Sequence, residues 1–435
     1  MHLPLRQLIL LFILVVTPVA AQQNFQIAKI EFEGLNRLSA EDMIATTELK
    51  IGAPFSLAAL DAAAQRLMDS GQFKNVGYRT RSTKDQITIT FQVEEARNAS
   101  SRVIFDNFIW FNDTELIAAV KRELPSFDGT APDSGDSVDR IIKALQRFLH
   151  EQKIEVTVTH IVSQDTPGSP IQEHIFTANG VPMPICTIHF PGAKNITEAS
   201  LRESSKDLRN SEYSRKFVSL FTANNLIPLY REVGQLKAAF SPPLAKPEST
   251  ATCKSGVELA IPVDEGNIYK WNKAEWTGNT ALTTPELDAL LGMQAGQPAN
   301  GVKLDHAARD IKKAYGRKGY LLVRVVSAPE FDEQAQSVMY KMDVVEGPQF
   351  RMGHLIVKGF TEAETNQINA KWKLKPGDIY DDGYVEEFSK KGLGDIMRDN
   401  FMRRRAEGKP APNLKWGPKP DRKTLTVDLT LELTN

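Results

Sequence analysis

The sequence predicts an α+β fold: a tandem array of five modules, each a three-stranded mixed sheet covered by two helices, with elements in the order β-α-α-β-β. An apolar strand that ends in a glycine turn recurs at intervals of about 80 residues. Helical periodicity follows each turn, and alternating apolar and polar residues follow the helices. The five opening strands begin near Phe25, Arg102, Ile185, Ile268 and Phe350.

The first repeat shows why each element is expected. Residues 27–34 form the strand and its turn, and apolar residues at three- and four-residue steps predict a helix over 60–68. Residues 87–93 alternate as a half-buried strand does. Two antiparallel helices and a hairpin return the chain to its original direction, so the first and last strands of a module should run parallel.

This repeat divides the chain after residue 21 into consecutive modules. The second has a turn-rich insert at 127–136, and the prolines between 410 and 420 are expected to break the second strand of the fifth. The predicted modules are residues 24–97, 101–182, 184–266, 267–347 and 349–435.

The first 21 residues predict a secretory signal peptide, since a basic start and an apolar run lead into small residues ending at Ala21. The apolar run is shorter than the ~20 residues that cross a bilayer, although a retained membrane anchor is the alternative. Export to an oxidising compartment favours a disulfide between Cys186 and Cys253 over two free thiols. Both cysteines fall at the same end of one predicted sheet.

Composition and motifs exclude several classes of function. The 53 Lys and Arg balance the 54 Asp and Glu, which gives no reason to expect nucleic acid as a partner. We find no hydrolase, metalloprotease, dinucleotide or phosphate-loop pattern, and therefore expect neither enzyme activity nor a cofactor. The spacing of His150, His160, His174 and His189 matches no ligand pair, so they are interpreted as scattered surface histidines rather than a metal site.

Four short patterns recur at matching places in the repeats. They are a strand-glycine turn, a Gly-x-Pro start to the second helix, a Gly-aromatic step after it and a closing Val-Glu pair. In the first and fourth repeats these residues are Gly34, Gly52, Pro54, Gly71, Phe73, Val93, Glu94, Gly278, Gly296, Pro298, Gly319, Tyr320, Val345 and Glu346.

With these residues the repeat resembles the POTRA domain, the polypeptide-transport-associated module of the outer-membrane barrel-assembly family that includes BamA and TamA. The resemblance implies a periplasmic scaffold, possessing no cofactor, that binds unfolded outer-membrane proteins or a separately encoded barrel protein. Family members follow their modules with a transmembrane barrel, which this sequence is expected to lack. The alternative is a structural protein that organises a division or secretion complex in the cell envelope without binding clients.

In this module type the second strand of the hairpin lies on a sheet edge, where another extended chain can pair with its backbone. The candidate edges are residues 76–82, 154–161, 230–240 and 321–328. The alternative is that Arg79, Arg81, Arg231, Lys237 and Arg324 prevent pairing. The candidate binding residues are Val76, Tyr78, Val156, Val158, Tyr230, Val233, Leu236, Leu322, Val323 and Val325.

Two further clusters have more than one interpretation. Residues 390–423 contain eleven Lys or Arg against four Asp or Glu, which favours either a peripheral contact with anionic lipid or a solvated insert. The aromatic residues at 108–111, with Tyr269, Trp271 and Trp276, are interpreted as core, with client contact as the alternative.

Overall fold

The computed structural model describes residues 25–96, 100–133, 135–251 and 253–434. The predicted signal peptide at residues 1–21 lies outside these ranges. The chain divides into two compact units, one of which takes in the residues up to Pro184 with Glu212–Ser214 and Lys246–Val257. Because this division passes through the third repeat, the five module boundaries stay a prediction. Within the described ranges, no helix combines the length and apolar character needed to cross a membrane.

The helices and strands follow the repeat. The first group is β1 (Gln26–Glu33), α1 (Ala40–Thr47), α2 (Leu57–Asp69), β2 (Phe73–Thr83) and β3 (Gln86–Glu95). The second is β4 (Ser100–Phe105), α3 (Asp113–Lys121), β5 (Thr130–Pro132), α4 (Ser137–Glu151), β6 (Thr157–Ser163) and β7 (Glu173–Asn179). The third is β8 (Ile185–His189), α5 (Glu198–Ser204), α6 (Arg215–Phe221), α7 (Ile227–Glu232), β9 (Ala239–Phe240), β10 (Leu244–Glu248), β11 (Gly256–Ala260) and β12 (Val263–Asp264).

The fourth group is β13 (Lys270–Thr277), α8 (Thr284–Leu291), α9 (Gly301–Gly316), β14 (Arg324–Asp332) and β15 (Ser337–Val345). The fifth is β16 (Arg351–Lys358), α10 (Glu362–Lys371), α11 (Asp382–Glu387), α12 (Gly394–Ala406), β17 (Asn413–Asp421) and β18 (Thr426–Thr434). Short 3-10 and π turns lie at Lys206–Leu208, Thr222–Leu226 and Phe388–Gly392.

Each group builds one main sheet, which we number 1 to 5 in chain order. Sheets 1, 4 and 5 have the orders β1-β3-β2, β13-β15-β14 and β16-β18-β17. Their first and last strands run parallel, as the sequence predicts. Sheet 2 has four strands in the order β5-β4-β7-β6, because the insert at 127–136 supplies β5. Sheet 3 has the order β10-β11-β8, and β9 and β12 form a separate pair.

One face of each sheet carries the core. On β15, Val338, Tyr340, Met342 and Val344 are buried at alternating positions, while the residues between them are more exposed. Helices α8 and α9 cover this face with Leu287, Leu291, Leu304 and Ile311, which belong to the same cluster. Removal of this apolar surface from water is the main stabilising contribution. Tyr269 and Trp271 lie inside the cluster, which confirms the interpretation of these two aromatic residues as core.

The turn after the first strand is held by a carboxylate from the last strand. In sheet 1, Glu95 accepts hydrogen bonds from the backbone N–H groups of Asn36 and Arg37 at 2.7 and 3.0 Å. Burial alone would raise the pKa of Glu95, but these hydrogen bonds outweigh burial and lower the pKa. Gly34 ends the strand at φ +97°, where a Cβ would collide with the carbonyl oxygen of Val93. Glu265 and Glu346 hold the same turn in sheets 3 and 4.

Consecutive groups in the second compact unit are joined in one repeated way. The Tyr269 N–H donates to the carbonyl of Gly234 at 2.9 Å, and the Phe350 N–H donates to that of Gly319 at 2.8 Å. Gly319 is the glycine of the Gly-aromatic step in the fourth repeat, and Gly234 occupies the corresponding place in the third repeat. The predicted disulfide between Cys186 and Cys253 is confirmed.

Candidate polypeptide-binding edges

The first-strand edge of each main sheet is covered by the segment between the two helices. In sheet 1, the Ile27 N–H donates to the carbonyl of Ala53 at 2.9 Å, and the Gly52 N–H donates back to that of Ile27 at 2.7 Å. In sheet 2 the same place is taken by β5, which pairs with β4. The segment between the two helices, which contains the Gly-x-Pro pattern in sheets 1 and 4, therefore closes one side of the sheet. Equivalent backbone hydrogen bonds join Ile185 to Ser211, Trp271 to Gln297 and Met352 to Asp378.

The opposite edge of each sheet is the first strand of the hairpin that closes the repeat. The sheet orders place β2, β6, β10, β14 and β17 there, each paired with one strand on its inner side. An edge strand presents unpaired N–H and C=O groups on its outer side, which is a template for another extended chain.

Four of these five strands carry residues that oppose pairing. Proline lacks the N–H that a ladder needs, and a Lys or Arg loses water when another strand covers it. The opposing residues are Arg79 and Arg81 on β2, Lys246 and Pro247 on β10, Arg324 and Pro329 on β14, and Lys415, Pro418, Lys419 and Pro420 on β17.

Strand β6 is different, because its sequence, Thr-Val-Thr-His-Ile-Val-Ser, contains no proline and no Lys or Arg. All seven of its residues pair antiparallel with β7. On its outer face Thr157 and Thr159 are exposed, and Ile161 is 62% exposed. β6 is therefore the edge best suited to accept an extended polypeptide. The sequence shows that β6 lacks Lys, Arg and proline, and the resemblance predicts an edge strand over residues 154–161; the sheet order places β6 at an edge.

Four of the predicted binding residues lie on open-edge strands. Val76 and Tyr78 are in β2, Val158 in β6 and Val325 in β14. Their side chains face the cores: Val158 is buried, and the other three are half-buried against core clusters. At these positions only the backbone is available to a partner. Val156 lies before the first residue of β6 and is half-buried.

The prediction of an edge strand over residues 230–240 is wrong. Tyr230 is in helix α7 and fully buried, Val233 follows that helix, and Leu236 lies in a loop against the core of sheet 4. Pro228 occupies the first turn of α7, where proline is tolerated. The open-edge strand of sheet 3 is β10.

Two residues predicted in the edge of sheet 4 also lie outside it. Leu322 and Val323 precede β14, which begins at Arg324. Leu322 packs against the core of sheet 5, and Val323 is buried in the core of sheet 4. Leu322 therefore contacts the neighbouring group, whereas Val323 belongs to the core of its own group.

The expectation that prolines break the second strand of the fifth group is also wrong. β17 runs without interruption from Asn413 to Asp421 through Pro418 and Pro420, and pairs residue by residue with β18. An edge strand tolerates proline because the missing N–H can fall on its unpaired side.

The interpretation of the histidines as scattered surface residues fails for one pair. His174 is only 1% exposed, and its Nδ1 lies 2.9 Å from Nε2 of His160. They are fourteen residues apart in sequence, but adjacent antiparallel strands bring them together. The spacing of histidines along the sequence does not reveal a pair that forms only between adjacent strands.

The basic segment at residues 390–423 is partly neutralised by its own surroundings. Lys390 lies 2.5 Å from Glu386 and Lys391 lies 3.4 Å from Glu387, both one helical turn away. Arg403 lies 3.0 Å from Glu364. Contact between this segment and a membrane stays a prediction.

Comparison with known proteins supports the fold. The POTRA family model, described as a surface antigen variable number repeat, matches residues 25–96 and 269–347. The chain carries POTRA domains. They contain sheets 1 and 4, in which the strand-glycine turn, the Gly-x-Pro segment and the carboxylate at the end of the last strand occupy the same places.

Two curated relatives align with about half of the chain. An outer membrane protein assembly factor of Treponema pallidum is 26% identical over 226 residues, which are 50% of this chain and 26% of that protein. BamA of Neisseria meningitidis serogroup B is 23% identical over 262 residues, 57% of this chain and 31% of that protein. The chain thus aligns with less than a third of the length of either relative.

A solved structure of POTRA domains 3–5 of Haemophilus influenzae BamA is also similar to this chain. It is 19% identical and covers 59% of this chain and 97% of its own length, with a TM-score of 0.42.

Proposed function

We propose that this protein binds extended polypeptide segments by β-augmentation along β6, as a periplasmic scaffold in the assembly or secretion of outer-membrane proteins. The observation that carries the proposal is that β6 is an edge strand of its hairpin and contains no proline, Lys or Arg. The POTRA domains and the names of the two relatives support the cellular role.

Pairing through the backbone suits a protein that accepts varied clients, because main-chain hydrogen bonds depend little on client sequence. A client strand beside β6 would extend sheet 2 from four strands to five. The outward side chains of Thr157, Thr159 and Ile161 would then meet client side chains on the solvent face. The most favourable cross-strand contacts with these side chains come from β-branched or aromatic residues on the client strand. Strands of transmembrane barrels contain such residues in abundance.

The partners under this proposal are unfolded outer-membrane proteins or a separately encoded barrel protein. Binding requires neither a cofactor nor covalent chemistry. The rival function is organisation of a cell-envelope complex without client binding. Site-specific crosslinking from β6 in the periplasm separates the two, since only the scaffold would capture newly exported barrel proteins at this strand.

The direct test places basic side chains on β6. In the double variant Thr159→Lys/Ile161→Lys, both new lysines lie on the solvent face, so the core of sheet 2 is undisturbed. We expect the affinity for a synthetic ten-residue peptide of alternating Val/Tyr and Thr/Ser to fall at least tenfold, because pairing would remove both charges from water. Fluorescence anisotropy of the labelled peptide measures this affinity.

Val326→Lys is the matched control, because Val326 lies on the edge strand β14 and is 62% exposed, as Ile161 is. β14 already carries Arg324 and Pro329, and we expect this variant to bind the peptide as the unchanged protein does. Equal losses in both variants would show a general charge effect. Unchanged binding in the β6 variant would exclude β6 as the site.

A further inference from the structure

A chain of three ionisable side chains ties β6 to the interior of sheet 2. His160 on β6 and His174 on β7 face each other with Nε2 and Nδ1 2.9 Å apart, and their ring planes differ by 25°. The other ring nitrogen of His174, Nε2, is buried without a hydrogen-bond partner, and Oδ1 of Asp133 lies 3.6 Å from it. Asp133 follows β5 at the far edge of the same sheet and accepts from the hydroxyl of Ser101.

The contact between the two histidines is possible in only some protonation states. An N–H···N hydrogen bond needs one proton on the two facing nitrogens, which neutral His160 and neutral His174 provide when one donates and the other accepts. One added proton can be accommodated if the second ring changes tautomer. When both rings are charged, two N–H groups point at each other and two positive charges lie side by side, so the contact cannot persist.

The surroundings of the pair favour the neutral forms. Burial lowers the pKa of both histidines and is the largest effect on each, and the charge of His174 lowers that of His160 further. Asp133 and the backbone of Ala131 act in the opposite direction on His174, as Asp139 of α4 does on His160. Burial prevails over these acceptors at both positions.

We propose that this histidine pair is an acid-sensitive latch, whose protonation releases β6 from β7 and removes the polypeptide-binding edge. The loss of a polypeptide-binding edge rests on the proposed function. The release of β6 from β7 does not, because it is a property of sheet 2 alone. At neutral pH the bond between His160 and His174 adds a side-chain link to the backbone ladder of β6 and β7. Protonation of both rings replaces that link with repulsion at the centre of the strand.

The direction of the pH effect follows from proton linkage. Both pKa values are lower when β6 is paired than when the histidines are in water, where the usual value is about 6.5. The released state therefore binds more protons, and the pairing of β6 is most stable above about pH 6.5 and weakens as the pH falls below it. At about pH 5.5, one unit below the usual pKa, a histidine that stays neutral while β6 is paired becomes protonated when β6 is released. Each such histidine shifts the equilibrium between paired and released β6 about tenfold toward release.

Hydrogen exchange of the β6 amides, measured by mass spectrometry without any peptide, tests the latch. Between about pH 7.5 and about pH 5.5, we expect the protection factors of β6, corrected for the intrinsic pH dependence of exchange, to fall by about tenfold to hundredfold. In His160→Gln, which keeps a polar side chain and leaves one titrating histidine, we expect a fall of no more than about tenfold. In His160→Gln/His174→Gln we expect no fall.

His150→Gln is the matched control, since His150 is exposed on α4 and has Glu155 as its partner at 3.0 Å. It should respond to acid as the unchanged protein does. If the β6 amides of the double variant are already unprotected from exchange at neutral pH, the comparison of His160→Gln with the unchanged protein tests the latch. Equal protection of β6 at both pH values in the unchanged protein, or an equal loss in His160→Gln, would overturn the latch.

Peptide binding measured over the same pH range separates this proposal from the proposed function. Acid-induced loss of β6 protection with no peptide binding at any pH would support the latch and contradict the binding role. Peptide binding that is independent of pH, with constant protection of β6, would support the binding role and contradict the latch.

Discussion

Strands β6 and β17 occupy the same place in their sheets but offer different edges. Each is the second-last strand of its group, lies at the sheet edge and pairs antiparallel with the last strand. β17 carries two prolines and two lysines, whereas β6 carries neither residue type. The fold therefore places an edge in every group, and side-chain composition decides which edge can accept a partner.

The two sheets also differ in the groups that respond to acid. Sheet 2 has the pair of His160 and His174, whereas sheet 5 has Glu364 at the start of α10. Glu364 accepts hydrogen bonds from the Thr361 N–H at 2.9 Å, from Asn400 at 2.9 Å and from Arg403 at 3.0 Å. Burial would raise its pKa, but these donors prevail and lower the pKa from 4.5 to about 2. The stability that Glu364 contributes is present above pH 4.5 and is lost as the pH falls toward 2, well below the range in which sheet 2 responds.

The largest expected effect sharpens this electrostatic difference. Glu364→Gln removes the charge that Arg403 and Asn400 surround, and we expect sheet 5 to lose about 2 to 3 kcal/mol of stability at neutral pH. Hydrogen exchange of peptides from residues 351–434 measures the loss, and sheet 2 should not change. Glu362→Gln is the control, because this exposed neighbour should cost less than about 0.5 kcal/mol. Equal destabilisation by both variants would contradict the role assigned to Glu364.

The next prediction converts β17 into an edge like β6. The starting protein is Thr159→Lys/Ile161→Lys, in which β6 is blocked. Adding Lys415→Thr, Pro418→Thr, Lys419→Thr and Pro420→Thr restores two N–H groups and removes two charges from β17. We expect peptide binding to return to within about tenfold of its original affinity, since an unprotected edge depends little on side-chain identity. Continued absence of binding in a folded protein would show that edge composition alone does not explain the difference.

The smallest expected effect comes from a single lysine. Lys419→Thr changes one exposed side chain and leaves both prolines of β17 in place. We expect a change of less than about 0.5 kcal/mol in the free energy of unfolding and no peptide binding at β17. Urea denaturation and the same anisotropy titration check both expectations. A gain of binding here would mean that the charge, and not the missing N–H groups, closes this edge.

Local patterns in the sequence were sufficient for much of the fold. Apolar residues at helical spacing located α2, and strict alternation located β3, because these periods reflect which face of an element is buried. The parallel pairing of the first and last strands followed from the order of elements, and the disulfide from an even pair of cysteines in one repeat. Prediction failed where neighbouring groups pack together, as at Leu236 and Leu322, whose apolar side chains pack against the core of the next sheet rather than lying in an edge strand.

By itself the sequence determined the repeat, elements with a clear period such as α2 and β3, and the basic residues that protect β2 and β14, since all of these depend on neighbours along the chain. Only the tertiary structure decided that the segments between the two helices cover one side of the sheets and that His160 meets His174. These relations join residues far apart in sequence through backbone pairing. Hydrogen bonding between strands sets their register, and no local periodicity encodes which residues it brings together.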